Sequence, residues 1–229
     1  MKRNYKIPKF KDFKFAKSRD EGDFLAPYTN RPISKFISWT FVHFSLCAEL
    51  LALFTPIVDL ITIYWIASGN WILAAIFVEL SLLFDSADGE VARFRTTIKK
   101  RTEQQNAYGV YMDSMAGVLI FPIVIFTAGL SMGNMFVGLL TMLSFFLINL
   151  SAGYGLLFTN KKEKSKSIQE GILGRIKKKL GIRGTVGFSG DIQKHIIALA
   201  LLFQTTIFLW IYFGLAMAVV LAKFYLYRK

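Results

Sequence analysis

Long apolar runs limit what this chain can fold into more than any other feature. The runs cover about residues 46–67, 71–94, 109–129, 135–158 and 195–226. A helix of roughly 20 apolar residues crosses a bilayer, and only helices and closed barrels satisfy their backbone hydrogen bonds in lipid. Because the runs are continuous rather than alternating in polarity, they favour helices over barrel strands. The predicted fold class is therefore an all-α integral membrane protein.

The distribution of basic residues predicts the number of spans. The run at 195–226 is long for one span, since a helix rises about 1.5 Å per residue, and we expect two shorter spans with a turn near Trp210–Gly214. Lys and Arg cluster at both ends of the chain and in the polar segments 95–108 and 160–194, which indicates that these parts are cytoplasmic. Both chain ends then share one side, so the number of spans is even, and we predict six.

The part of the chain before the first run is basic. Residues 1–33 form a Lys- and Phe-rich segment, and residues 34–229 form the predicted transmembrane domain. Between Ile33 and Phe44 apolar residues recur at helical spacing, which predicts an N-terminal amphipathic helix at the membrane interface. The net charge of +13 suits cytoplasmic loops that contact anionic lipid headgroups. The expected partners are membrane lipids, and binding to nucleic acid is not expected.

An acidic motif lies where the second run ends, and a shorter motif opens the third run. The two motifs read Asp85-Ser-Ala-Asp88-Gly89-Glu-Val-Ala92-Arg93 and Gly109-Val-Tyr-Met-Asp113. Residues three, four and seven apart share a helix face, so positions 85, 88, 89 and 92 line one face of the second predicted span. Carboxylates near membrane depth are costly unless they are paired or bound to metal. The two motifs together predict a functional site at the cytoplasmic rim.

The residue types in the two motifs suit a metal and a phosphate group. Mg²⁺ and Mn²⁺ take oxygen ligands, which Asp85, Asp88 and Asp113 would supply from the facing ends of two helices. Two such metals neutralise a diphosphate and orient a displacement reaction. The glycine and alanine of the first motif keep its helix face bare, and Arg93 lies one turn beyond that glycine, where it would bind a phosphate bidentately.

The spacing Asp85-x2-Asp88-Gly89-x2-Ala92-Arg93, followed by Gly109-x3-Asp113, resembles the signature of the CDP-alcohol phosphatidyltransferase family (class I). The resemblance covers roughly residues 30–226. Enzymes of this family transfer a phosphatidyl-type group from a CDP-linked lipid to an alcohol and release CMP, a reaction of phospholipid biosynthesis. The resemblance implies a six-span fold with an interfacial first helix, lipid tails in a groove between spans, and a homodimer.

The resemblance also implies roles for single residues. It makes Asp85, Asp88 and Asp113 the ligands of Mg²⁺ or Mn²⁺. The CDP pocket would be shaped by four further motif residues, Gly89, Ala92, Arg93 and Gly109.

The sequence departs from the family pattern in two places. The family has a fourth aspartate four residues after the third, which binds the second metal and acts as the general base, and here Gly117 stands there. A positioned base contributes about 10²–10⁴-fold in rate, so the catalytic base of this chain is left unassigned. The segment 94–108 between the two motifs is also longer than the usual gap.

Two alternative functions follow from these features. Without the usual base, the protein would be a relative that binds a CDP-lipid without turning it over. The intramembrane acids Glu49, Asp59 and Glu79 would instead suit an ion-coupled transporter, although pairing within the helix bundle explains them more simply. Transport also predicts repeated halves with broken helices, and the sequence has no such repeat.

The basic segment 160–194 contains candidate contacts for a phosphorylated acceptor. These are Arg175, Arg183 and Lys194. A cytoplasmic loop is basic in any case, so each of these side chains has a simpler explanation than acceptor binding.

Overall fold

The structure is a computed structural model, and it describes residues 9–10, 29–97, 108, 111, 116–158 and 190–227. All regular structure within these ranges is helical. The elements are α1 (Asn30–His43), α2 (Ala48–Ala67), α3 (Trp71–Thr97), a π-helical turn (Ala116–Ile120), α4 (Phe121–Ser131), α5 (Met135–Phe158), α6 (Gly190–Phe203) and α7 (Ile207–Tyr227). The predicted all-α class is confirmed for this part of the chain.

Two helices are long and apolar enough to cross a membrane by length and composition. They cover Ala48–Ala67 and Ile207–Phe224. Two shorter apolar helices cover Gly117–Ser131 and Met135–Ser151. The count of six spans stays a prediction.

Three short turns join the helices in pairs. Two of them cover residues 68–70 and 132–134, and each contains a glycine in the left-handed region, Gly69 and Gly133, both with φ of 73°. The third turn corrects the sequence analysis. The run at 195–226 does break into two helices, but at Gln204 (φ 50°) rather than near Trp210–Gly214, which lies inside α7. The three polar residues Gln204-Thr-Thr mark this turn, and they are easily overlooked within the long apolar run.

Hydrogen bonds between helices show that the three turns lie at one end of the bundle, which we call the turn end. Glu79 and His195 each lie eight residues from a turn, and their side chains meet at 2.8 Å. Ser151 and Lys223 each lie sixteen residues from a turn, and their side chains meet at 3.1 Å. Distance along a helix from the turn end therefore measures depth in the bundle.

The motif helix α3 occupies the centre of the helix packing. It packs against α1, α2 and α6, and its side chains Val78 and Leu82 are buried. Elsewhere α4 and α5 approach each other closely, because a Cβ atom added to Gly129 would lie 2.4 Å from the Cα of Gly138. Small residues of this kind allow helices to pack at short distance in membrane proteins.

Helix α1 corresponds to the predicted amphipathic helix and has nearly the same bounds. The distribution of apolar and polar side chains between its exposed and buried faces is unusual. Its apolar side chains Ile33 and Phe36 are exposed, while Ser34 and Ser38 are fully buried against α3. The buried face is therefore largely polar, with Val42 as its apolar end. An outward apolar face is compatible with the predicted place at the membrane interface, which stays a prediction.

Candidate functional site

The first acidic motif lies on one continuous helix, as the sequence predicted. Asp85, Asp88, Gly89 and Ala92 all belong to α3 and are half-buried. They lie in the part of α3 that is remote from the turn end. Their spacing on a helix places them on one face, so two carboxylates and two small residues share one surface.

The absent side chain of Gly89 makes room for the guanidinium group of Arg93. A Cβ atom added to Gly89 would lie 3.1 Å from Nη1 of Arg93. The guanidinium therefore folds back along its own helix toward the aspartates. A planar cation in this position suits a phosphate group.

The metal-ligand prediction is only partly accessible to the structure. Asp113 and Gly109 lie outside the described residues, and within the described ranges no group of three His, Cys, Asp or Glu side chains is close enough to hold an ion. The two described carboxylates, Asp85 and Asp88, have the oxygen chemistry that Mg²⁺ and Mn²⁺ prefer. The donor set fits a divalent metal once a third carboxylate joins it.

Gly117, where the motif spacing predicts the family's fourth aspartate, faces open space. It lies in the π-helical turn that leads into α4, and a Cβ atom added to it would meet nothing within 4 Å. The turn packs against α2. An aspartate would therefore fit here without displacing other described atoms, and the absence of a base at this position stays a prediction.

A buried carboxylate inside the motif, Glu90, holds α1 against α3. Its Oε1 accepts hydrogen bonds from Nη1 of Arg31 at 2.7 Å and from Ser34 at 3.0 Å, and its Oε2 accepts one from Ser38 at 2.7 Å. Ser38 also contacts the carbonyl of Ala87 at 3.3 Å. The sequence analysis missed this cluster. The detectable signal was the spacing of Ser34 and Ser38, which are four residues apart and so share one face of the predicted helix.

A second buried polar group lies deeper in the bundle. Asp59 on α2 is 1% exposed, and neither carboxylate oxygen has a hydrogen-bond partner among the described residues. The Ser81 hydroxyl on α3 lies beside this carboxylate. The charges of Lys194 and Asp85 interact with it electrostatically. The ammonium of Lys194 donates to Oγ of Ser81 at 3.1 Å.

The position of Lys194 corrects part of the loop prediction. We expected Lys194 in a polar loop at 160–194, but α6 begins at Gly190, and Lys194 is 8% exposed within it. Its role toward an acceptor phosphate stays a prediction. Arg175 and Arg183 lie outside the described residues.

The intramembrane acid Glu79 has a partner within the bundle. Its Oε1 lies 2.8 Å from Nδ1 of His195 on α6, which is the pairing that explains such acids more simply than transport. The same two side chains contribute to a groove of about 570 Å³ between α3 and α6. Most of its lining is apolar, and Ile72 and Ile76 on one wall are exposed. The groove suits an apolar chain.

Comparisons with known proteins support the resemblance drawn from the motifs. A family model described as CDP-alcohol phosphatidyltransferase matches residues 45–227. No curated protein matches the chain. The matched region contains both acidic motifs and every described helix except α1. Because it covers most of the sequence, the chain belongs to the CDP-alcohol phosphatidyltransferase family.

Proposed function

We propose that the protein transfers a phosphatidyl-type group from a CDP-activated lipid to an alcohol acceptor and releases CMP. The observation that carries this proposal is the arrangement on α3, where two aspartates, two small residues and an arginine share a continuous helix within the matched family region. Membership of the family and the two apolar helices indicate a membrane protein. Six spans and a cytoplasmic site belong to the proposal.

The motif residues have distinct parts in this reaction. Asp85, Asp88 and Asp113 would hold Mg²⁺ or Mn²⁺, which supplies positive charge to the diphosphate when bound. Arg93 binds and orients a phosphate group with its guanidinium. The absent side chain of Gly89 lets this guanidinium lie against the helix beside the aspartates, since a larger side chain there would displace it.

The groove between α3 and α6 would hold lipid tails. Its walls are apolar, and it opens beside the motif helix. The α3 side chains that line it, such as Ile76 and Leu83, lie on the face of the helix opposite Asp85 and Asp88. Tails in this groove would therefore add affinity for the lipid, and the motif face would orient the diphosphate separately.

One observation favours a second candidate, a protein that binds a CDP-lipid without transferring it. Gly117 provides no side chain where the family has its base, and the space around it is open. The nucleotide half of the site would still bind its ligand.

A single assay separates these two candidates. Purified protein in micelles would be given a CDP-lipid, Mg²⁺ or Mn²⁺, and a panel of alcohol acceptors, and CMP release would be measured. We expect acceptor-dependent release that Asp88→Asn abolishes. Turnover by Gly117→Asp alone would identify the parent as a binder. Absence of both turnover and metal-dependent CDP-lipid binding would refute the proposed function.

A further inference from the structure

We propose that Asp59 accepts the proton of the acceptor hydroxyl, the role for which Gly117 offers no side chain. This inference rests on the proposed function and assigns its missing base. In the reaction, the acceptor oxygen gives its proton to the Asp59 carboxylate and forms a bond to the lipid-linked phosphorus. The bond from that phosphorus to the bridging oxygen breaks, and CMP leaves with the electron pair.

The first argument is that Asp59 is buried without the hydrogen bonds that usually accompany burial. It is 1% exposed, and its carboxylate oxygens make no hydrogen bond of ordinary geometry to the described residues, although the Ser81 hydroxyl and the Lys194 ammonium are its polar neighbours. A buried polar group without partners is costly by about 1–3 kcal/mol, and more for a charged one. Such a group is expected where a ligand completes its contacts, and an acceptor hydroxyl would do so.

The second argument concerns position in the bundle. Gly117 and Asp85 each lie fourteen residues from the turn end of their helix, and Asp59 lies eight residues from it. At about 1.5 Å per residue the Asp59 backbone is therefore roughly 9 Å deeper than the other two. This places Asp59 deeper than the layer in which the family's base would stand, on a helix that packs against the π-helical turn.

Side-chain direction shortens this distance. Side chains on a helix lean toward its N-terminus. Helix α2 runs toward the turn end and α3 runs away from it, so Asp59 leans toward the motif layer and Asp85 leans toward Asp59. Asp85 is indeed one of the charged groups that act on Asp59.

The third argument is the cation beside this carboxylate. Lys194 acts on Asp59, and its ammonium donates to Ser81 at 3.1 Å. A nearby positive charge offsets part of the cost of a buried carboxylate. Ser81 lies beside Asp59 and is bonded to Lys194, so a hydroxyl is in place through which the proton can leave the carboxylate after the transfer.

The test measures CMP release and metal-dependent CDP binding on the same set of variants. We expect Asp59→Asn to lower kcat by about 10²–10⁴-fold, with the KM for the CDP-lipid and the affinity for CDP with Mn²⁺ unchanged. Adding Gly117→Asp to this variant should restore part of the kcat, because a carboxylate then stands at the family's position. Thr62→Ala is the matched control, since Thr62 is also buried on α2 and bonds only to the Val58 carbonyl of its own helix.

Each other outcome overturns the proposal in a distinguishable way. Full activity of Asp59→Asn overturns the role of Asp59 and leaves the proposed function intact. Loss of CDP binding together with activity shows that Asp59 supports the fold instead. A parent protein that releases no CMP with any acceptor overturns the proposed function and this inference with it.

Discussion

Two buried carboxylates near the motif helix have opposite surroundings. Glu90, near the end of the bundle remote from the turns, has an arginine and two serines on its two oxygens. Asp59, deeper in the bundle, has no hydrogen-bond partner among the described residues. Both are essentially inaccessible to solvent. Burial alone therefore does not distinguish the two carboxylates, and the state of their hydrogen bonds does.

The difference has an energetic meaning. A buried carboxylate with satisfied hydrogen bonds holds its surroundings in one arrangement, and removing it leaves its donors unpaired. A buried carboxylate without partners lowers the stability of the folded protein, so its replacement is tolerated or beneficial. The two residues should thus differ in how strongly substitution lowers stability, and four measurements can sharpen or break this comparison.

The largest effect should come from Glu90→Ala. It leaves the Arg31 guanidinium and two buried serines without their acceptor, and breaking such a buried pair costs about 3–5 kcal/mol. Because the Arg31 side chain is 28% exposed, water compensates part of this, and we expect a loss of about 2–4 kcal/mol. Thermal unfolding in detergent micelles would measure it. Glu90→Gln, which keeps an acceptor for the serines, is the control and should lose less, and equal stability of all three proteins would break the comparison.

A smaller loss should follow from Ser38→Ala. Ser38 makes the 2.7 Å contact to Oε2 of Glu90, and a hydrogen bond to a charged group contributes about 1.5–3 kcal/mol. Ser34→Ala should cost less, since Oε1 keeps its bond from Arg31. The same unfolding assay ranks the two variants, and the reverse order would show that the two oxygens are not held as described.

A much smaller effect is expected for Asp59→Asn. Replacing the carboxylate by a neutral amide removes its desolvation cost, but it also removes the negative charge beside the buried Lys194, so stability should change by less than about 1 kcal/mol in either direction. The midpoint of thermal unfolding should therefore stay nearly constant while kcat falls. A fall in the midpoint would mean that Asp59 stabilises the bundle as Glu90 does.

A comparably small effect is expected for Ser81→Ala. This change removes the acceptor of the 3.1 Å bond from Lys194 and should cost about 1 kcal/mol or less. Ser68→Ala, at the exposed turn where the hydroxyl bonds to the Tyr64 carbonyl, should leave stability unchanged. If Ser81→Ala cost as much as Glu90→Ala, the polar groups around Asp59 would be as firmly held as those around Glu90.

The helices were largely predictable from the sequence because each depends on local features. Continuous apolar residues and Gly-containing turn signals are visible within a few residues, and α5 has the predicted bounds, Met135–Phe158. The turn at Gln204 was misplaced because its three polar residues lie in a long apolar run and no glycine or proline marks them. The spacing of the first motif on one helix was also predictable, since helix periodicity determines it.

Contacts between distant segments were not predictable in the same way. The bonds from α1 to Glu90 join residues 52 to 59 positions apart, and the bond between Lys194 and Ser81 spans 113 positions. Nothing local distinguishes Asp59, without partners, from Glu79, which pairs with His195. Which carboxylate is satisfied depends on how the helices pack.

The reversed faces of α1 have a consequence for protein engineering. Water-soluble versions of membrane proteins are made by exchanging exposed apolar side chains for charged ones, which leaves the inner contacts of an ordinary bundle helix intact. On α1 the inner face combines buried Asn30, Ser34 and Ser38 with Val42, which belongs to a hydrophobic cluster that Ile37 and Phe41 also join. After an exchange of Ile33 and Phe36, the contact of α1 with the motif helix would depend on that apolar end and on the bonds to Glu90.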